Sequence, residues 1–68
     1  MDFRAVPANI KRYMLLRGYS LKQVGCWAGV SERTMYARLR DPDTFTLGEL
    51  FGIAKHLKIN FEKLLETA

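Results

Sequence analysis

The sequence is poor in residues that form disulfides or bind metals. It contains one cysteine, Cys26, and one histidine, His56. One cysteine excludes an internal disulfide, and one cysteine with one distant histidine falls short of any metal-ligand set. We therefore expect no metal and no cofactor. Cys26 is interpreted as an inert small hydrophobe and His56 as a solvated side chain.

Long apolar runs and catalytic constellations are also missing. No run approaches the roughly 20 apolar residues of a membrane span, and the N-terminal MDFRAVP contains no signal-peptide core. We expect a cytoplasmic protein without a membrane partner. There is no nucleophile–base pair, no paired carboxylates and no phosphate-binding glycine loop, so neither an enzyme nor a small-molecule substrate is expected.

Acidic side chains are scarce in the N-terminal part of the chain. Residues 4–40 contain eight basic side chains against the single acid Glu32, which gives +7. Residues 41–68 contain three basic and five acidic side chains, which gives −2, and Asp2 completes the net charge of +4. Such asymmetry is typical of a protein that binds a polyanion. The alternative is a basic face that only contacts solvent.

The size allows one domain, residues 1–68, with residues 1–6 as an irregular arm that Phe3 and Val6 hold in place. At 68 residues, a single core leaves a thin stability margin, so dense helical packing or association is expected. Hydrophobic residues at 49% and charged residues at 26% fit a folded globular protein. The helical patterns described below predict an all-α protein.

Residues 20–39 predict two short helices joined by a tight turn. Ser20 and Gln23 have the spacing of a capping box, and Gly29 can end the first helix in a left-handed conformation. Ser31 is a second N-cap. Gly25 supplies the small residue needed where the helices cross. Inward-facing positions are Leu21, Val24, Ala28, Val30, Met35 and Leu39. The pattern is a helix-turn-helix.

The flanking segments predict three further helices. The first covers residues 7–17, ends at Gly18, and faces inward through Ile10, Tyr13 and Met14, with Leu16 marginal and Leu15 outside. After a loop, Thr46 and Glu49 form a second capping box, and Phe45 with Leu50 forms a hydrophobic staple. Asn60 is expected to cap a last short helix. The predicted apolar arc of helix 4 is Leu47, Leu50, Phe51, Ile53, Ala54 and Leu57, with Glu49, Gly52 and His56 opposite.

This order of parts resembles the lambda-repressor-like family of Cro and XRE-type regulators over residues 8–66. The resemblance rests on Ile10, on GYS at 18–20, on AGVS at 28–31, and on TLGELFGIAKHL at 46–57. The segment from Arg38 to Leu47 is similar to the phage and prophage version. The resemblance implies a five-helix bundle whose third helix enters the major groove, usually as a dimer on a pseudo-palindromic site.

Site residues follow from the resemblance by matching positions. Arg33 offers the bidentate fork that suits guanine, worth about 1–3 kcal/mol of discrimination, and Glu32 can accept from cytosine. The implied base contacts are Glu32, Arg33 and Ala37. The implied or possible DNA-backbone contacts are Ser20, Lys22, Ser31, Thr34, Tyr36, Arg12, Arg17 and Arg38. For Tyr36, packing along its own helix is the alternative.

Two features depart from the family pattern. Leu21 stands where the family commonly has a glutamine that contacts phosphate, which removes one expected backbone contact. Met14 and Leu39 stand where the family often buries an Arg–Glu ion pair. Because both partners are apolar here, the packing contact can remain without the desolvation cost of two charges. We predict that Met14 and Leu39 touch within about 4.5 Å.

The sequence therefore predicts a double-stranded-DNA-binding transcriptional regulator, of the phage or prophage repressor type and homodimeric. The alternative is a helix-turn-helix module that contacts other proteins, as an antitoxin or partner-docking domain. Trp27 is expected to be half-buried over a neighbouring helix, or else to contact a partner. Phe51, Phe61 and Leu65 are either ordinary core or a dimer or partner surface.

Overall fold

The computed structural model describes residues 2–67, which form five α-helices, one 3₁₀ turn and no strand within that range. The predicted all-α bundle of five helices is confirmed. Its principal dimensions are 24 × 24 × 18 Å. The helices are α1 (Val6–Arg17), α2 (Leu21–Ala28), α3 (Glu32–Arg40), α4 (Leu47–Leu57) and α5 (Glu62–Leu65), and the 3₁₀ turn is Pro42–Thr44.

Side-chain caps start α2, α3 and α4 as predicted. The Gln23 N–H donates to Ser20 Oγ at 3.2 Å, and the Ser20 N–H donates to Gln23 Oε1 at 2.8 Å. Thr46 and Glu49 make the same reciprocal pair at 3.1 and 3.0 Å. The Thr34 N–H, in the first turn of α3, donates to Ser31 Oγ at 3.1 Å. Each cap contributes about 1 kcal/mol to helix stability.

The two terminal helices begin differently from the prediction. Helix α1 starts at Val6, so the irregular arm is shorter than residues 1–6, and Pro7 lies in the first helical turn where its missing N–H costs nothing. The predicted Asn60 cap is wrong. Phe61 is the N-cap of α5 and makes no side-chain bond, while the backbone carbonyl of Asn60 accepts from the Lys63 N–H at 2.9 Å.

Every helix contributes to one hydrophobic core. Helix α2 packs on α3 and α4, and α1 packs on α3 and α5. On α1, Ile10 is buried and Leu15 is exposed, as predicted, but Leu16 is 72% exposed rather than marginal. Val30 is half-buried rather than buried. The buried core is Val6, Ile10, Val24, Met35, Phe45, Leu50, Ile53, Ala54, Leu57 and Leu64.

Helix α4 is turned relative to the predicted apolar arc. Leu47 and Phe51 are 45% and 52% exposed, whereas Glu49 is buried. The reason is that Gly52 faces α2: a Cβ atom at this position would lie well inside contact distance of the Trp27 carbonyl oxygen. The backbones of α2 and α4 therefore approach closely on the Gly52 side, and this orientation places the Glu49 carboxylate against α3.

Gly25 allows the matching approach between α2 and α3. A Cβ atom there would lie 3.0 Å from Met35 Cγ and 3.0 Å from the Val30 carbonyl oxygen, which is closer than ordinary carbon contacts. The predicted need for a small residue at this crossing is confirmed. Gly25 and Gly52 together allow α2 to pack closely against both α3 and α4.

A buried asparagine ties the first helix to the last. The Asn9 amide donates at 2.8 Å to the carbonyl oxygens of both Leu64 and Glu66, and Asn9 is 4% exposed. The last carbonyls of a helix lack intrahelical partners, so these bonds satisfy groups that α5 leaves free.

Within residues 2–67, no helix has the length and apolar character needed to cross a membrane.

Candidate nucleic-acid interface

Backbone bonds fix the turn between α2 and α3. Gly29 adopts φ 78° and its N–H donates to the Cys26 carbonyl at 3.1 Å. The Val30 N–H donates to the Gly25 carbonyl at 2.9 Å. The left-handed glycine closes α2, and the extended Ser31 immediately opens α3. Only residues 29–31 separate the helices, so α3 is held rigidly against α2.

One side of α3 faces solvent and is called here the outer face of α3. Its exposed residues recur at helical spacing, while Met35 on the opposite side is fully buried. The three predicted base-contact residues, Glu32, Arg33 and Ala37, all lie on this face. Tyr36 is 57% exposed. The outer face of α3 consists of Glu32, Arg33, Tyr36, Ala37 and Arg40.

The predicted hydroxyl contacts lie at the starts of α2 and α3. Ser20 accepts from its cap partner and keeps its own proton, which can be donated outward. Ser31 donates to Thr34 Oγ1 at 3.0 Å, so the free proton of that pair is on Thr34. Lys22, in the first turn of α2, is exposed. Free backbone N–H groups and the helix dipole make such ends suitable for phosphate oxygens.

Arg38 has an internal partner that the sequence did not reveal. Its Nε lies 3.1 Å from Glu49 Oε1 and its Nη2 lies 3.3 Å from Oε2, and the side chains are 27% and 10% exposed. Burial raises the pKa of the Glu49 carboxyl, but hydrogen bonds from Arg38 and the Thr46 N–H outweigh burial and bring that pKa below its ordinary value. The ion pair joins α3 to α4 and occupies hydrogen-bond donors of Arg38 within the protein.

The arginines of α1 also contact the protein itself. Arg17 donates to the Leu57 carbonyl at the end of α4. The guanidinium carbons of Arg12 and Arg17 lie 5.3 and 5.2 Å from the centre of the Tyr13 ring. These are cation–π distances. Arg17 therefore helps to join α1 to α4, although both arginines are exposed.

Within residues 2–67, six basic side chains of the N-terminal part have no carboxylate partner, and one of them, Arg17, donates to the Leu57 carbonyl instead. Within residues 2–67, the ion pairs at 4.0 Å or less are Asp2–Arg4, Arg38–Glu49 and Lys63–Glu66. The other five are exposed, and no carboxylate of residues 2–67 lies within 4.0 Å of them. They are Lys11, Arg12, Lys22, Arg33 and Arg40.

Lys11 and Arg40 were missed as site residues. Both border a hollow that we call the α1–α3 groove, which has a volume of about 300 Å³ and is lined by Lys11, Met14, Leu21, Tyr36, Leu39 and Arg40. Lys11 could have been identified from the sequence, because helical spacing places it one turn before Met14 on α1. Met14 and Leu39 line the same groove, and their direct contact stays a prediction.

The aromatic residues form two clusters. Trp27 is half-buried, as expected, with its ring 4.6 Å from Tyr19 in an edge-on arrangement and 5.3 Å from His56 in a parallel stack. His56 is exposed, as expected, and also approaches the Gly52 carbonyl at 2.8 Å. The second cluster is Phe51 with Phe61, 4.6 Å apart. Phe61 and Leu65 are half-buried against the core, which leaves Phe51 as the exposed ring of this second cluster.

In the part of the chain that the structure describes, no three His, Cys, Asp or Glu side chains come together as a metal site.

Comparison with protein-family models, curated proteins and solved structures finds no match to this chain. The resemblance to lambda-repressor-like regulators therefore stays a prediction.

Proposed function

We propose that this protein is a sequence-specific transcriptional regulator that binds double-stranded DNA through the outer face of α3. The observation that carries the proposal is a helix held rigidly by a tight turn, with charged and polar side chains exposed along one side. The major groove of B-DNA is about 12 Å wide and admits an α-helix. The unpaired basic side chains near this helix suit the phosphates that flank the groove.

Base reading is assigned to three residues of that face. Arg33 donates two hydrogen bonds to guanine O6 and N7, and Glu32 accepts from cytosine N4. Ala37 lies one turn after Arg33 and presents a methyl group suited to apolar contact with thymine. Each bidentate contact contributes about 1–3 kcal/mol of discrimination against a wrong base.

Phosphate contacts are assigned to the helix starts and to nearby cations. Ser20 and Thr34 can donate hydroxyl protons, and Lys22 extends from the first turn of α2. These contacts position the protein without reading sequence. Arg12 stays in this set, whereas Arg17 and Arg38 are assigned mainly to joining helices, because each already has a partner within the chain.

The assembly and biological role are part of the same proposal. A homodimer would place two copies of α3 in successive major grooves on a pseudo-palindromic operator, about 34–36 Å apart. The exposed Phe51 and the adjoining Phe61 and Leu65 form the proposed dimer surface. A repressor of phage or prophage type, acting in the cytoplasm, fits this arrangement.

Selection from random duplex DNA at physiological salt tests the proposal. We expect an enriched site with two half-sites of related sequence, and light scattering of the complex should give two chains per duplex. The affinity should fall steeply as salt rises, because bound phosphates release counterions. Failure to enrich any sequence, with no binding even at low salt, would contradict the proposal.

A second function is supported by the exposed aromatic surface. Phe51 is 52% exposed and packs on Phe61, and exposed aromatic rings are enriched at protein interfaces. A helix-turn-helix module used as an antitoxin or partner-docking domain would use such a surface. Its binding would respond little to salt and would be lost in Phe51→Ser, whereas Arg33→Ala would leave it unchanged.

A further inference from the structure

The α1–α3 groove combines an apolar floor with two positive charges. Met14, Leu21 and Leu39 line it from three different helices, and Tyr36 adds an aromatic ring. Its volume of about 300 Å³ lies at the lower end of the range for small-molecule pockets, about 300–1,000 Å³. Such pockets are mostly apolar, with a few polar groups that fix the orientation of the ligand.

The charges on this groove have no carboxylate partner in the part of the chain that the structure describes. Lys11 and Arg40 line it from α1 and α3, and both are exposed. Neither has a carboxylate within 4.0 Å among residues 2–67. Two like charges beside one apolar hollow attract an anion, and the low dielectric of the floor strengthens that attraction.

We propose that the α1–α3 groove binds a small organic anion with an apolar body, such as a medium-chain carboxylate. The hydrocarbon part lies on Met14, Leu21 and Leu39, and the carboxylate lies between Lys11 and Arg40. Inorganic phosphate would leave the apolar floor uncovered. An uncharged hydrocarbon would leave both cations without a partner. An amphipathic anion satisfies the two parts together.

Occupation of the groove has a consequence for DNA binding. Tyr36 and Arg40 belong both to the groove and to the outer face of α3, so a ligand that contacts them competes with the duplex for the same side chains. This consequence rests on the proposed function. The binding of the anion does not, because it depends only on the groove.

Methyl NMR of the protein labelled at methionine tests the binding directly and without DNA. Titration with octanoate should shift the Met14 methyl signal until saturation, and the signal of Met35, which lies in the core, should move less. Octanol should bind more weakly than octanoate, and octylammonium should bind most weakly. Octylammonium binding as tightly as octanoate, or a Met14 signal that does not move, would overturn the proposal.

Matched variants separate the two parts of the groove. Lys11→Gln should weaken octanoate binding about twofold to fivefold, as expected for one exposed charge contact, and should leave octanol binding unchanged. Lys55→Gln on α4, which does not line the groove, is its control. Leu21→Gln should weaken octanoate and octanol alike, whereas the exposed Leu15→Gln outside the groove should weaken neither.

Three results would contradict the assignment. They are a Met14 shift that inorganic phosphate reproduces, normal octanoate binding by Leu21→Gln, and a loss of binding in Leu15→Gln equal to that in Leu21→Gln. Competition between the anion and DNA predicts that octanoate releases a selected duplex from the wild type and not from Leu21→Gln. If the protein bound no duplex while octanoate still shifted Met14, the proposed function would fail and the groove assignment would stand.

Discussion

At the scale of single residues, Glu49 has two tasks that share one carboxylate. Its Oε1 atom accepts from the Thr46 N–H at 3.0 Å and completes the cap of α4. The same carboxylate binds Arg38 and so joins α4 to α3. The first task was predictable from a local four-residue motif. The second was not, because Arg38 lies eleven positions earlier and the orientation of α4 depends on its packing against α2.

The Glu49–Arg38 pair predicts a stability that depends on pH. Glu49→Gln should lower the free energy of unfolding at pH 7 by about 1–3 kcal/mol, because a mostly buried guanidinium loses its charged partner. The folded-state pKa of Glu49 is below its ordinary value of 4.5, so this stabilisation is present above that value and is lost as pH falls through the folded-state pKa.

Urea unfolding at pH 7 and at several values below pH 4.5 measures this effect. The difference between the wild type and Glu49→Gln should shrink as the solution becomes more acidic. A difference that stayed constant across this window would show that the carboxylate charge is not what stabilises the protein.

The departures of this chain from the family pattern also belong to the residue scale. Leu21, Met14 and Leu39 replace polar or charged side chains at the matching positions of the resemblance, and all three line the α1–α3 groove. Sequence reasoning recognised each position and paired Met14 with Leu39. It did not bring Leu21 into the same place, since that requires the relative positions of three helices.

At the scale of elements, helix boundaries were predictable wherever the signal was local. Ser20, Ser31 and Thr46 each cap the helix that follows, since a cap depends on residues three positions apart. The prediction failed at Asn60, where the backbone alone makes the bond, and on α4, where Leu47 and Phe51 are exposed. Helical periodicity defines an apolar arc, but close packing at Gly52 selects which part of that arc is buried.

The two glycines of α4 provide a matched test of this packing. Gly52→Ala should lower the free energy of unfolding by about 1–3 kcal/mol, because the new methyl group meets the Trp27 backbone, which cannot move aside as a side chain could. At Gly48 the nearest atom to a new Cβ is Thr46 Oγ1 at 4.0 Å. Gly48→Ala should therefore raise stability by about 0.5–1 kcal/mol.

Thermal and urea unfolding of the two variants measure the contrast. Equal effects of the two substitutions would mean that helix propensity, and not the approach of α2 to α4, governs both positions. We also expect the clash in Gly52→Ala to disrupt the Trp27–His56 stack. Tryptophan fluorescence can monitor this local change.

Asn9 provides a second test at this scale. Asn9→Ala should lower the free energy of unfolding by about 1–3 kcal/mol, because it removes donors from two carbonyl groups, one of which is buried. Compared with the wild type, this variant should show a larger increase in the hydrogen-exchange rate of α5 amides than of α2 amides. Uniform acceleration across the chain would contradict a specific tie between α1 and α5.

At the scale of the whole molecule, the charge separation in sequence becomes a set of unpaired cations in space. Asp2 pairs with Arg4 and Glu49 pairs with Arg38, whereas Lys11, Arg12, Lys22, Arg33 and Arg40 have no carboxylate partner among residues 2–67. The asymmetry was readable from the sequence. Which cations remain unpaired was not, because it depends on contacts between distant helices.

Salt dependence tests whether these cations contact phosphates. Lys22→Ala should weaken binding to all duplexes by a similar factor and reduce the log–log salt slope by about one unit per chain. Lys55→Ala removes the same charge from α4, away from the proposed interface, and should leave the slope unchanged. Equal changes of slope in the two variants would indicate attraction by net charge alone.

The proposed function assigns base reading on the outer face of α3 chiefly to Arg33. The most direct measurement compares the affinities of the wild type, Arg33→Lys and Arg33→Ala for a selected duplex and for a scrambled duplex of equal length. Arg33→Lys keeps the charge and loses the bidentate fork. We expect it to lose about tenfold or more in preference for the selected site, while its affinity for the scrambled duplex is nearly retained. An unchanged preference in both variants would contradict the claim.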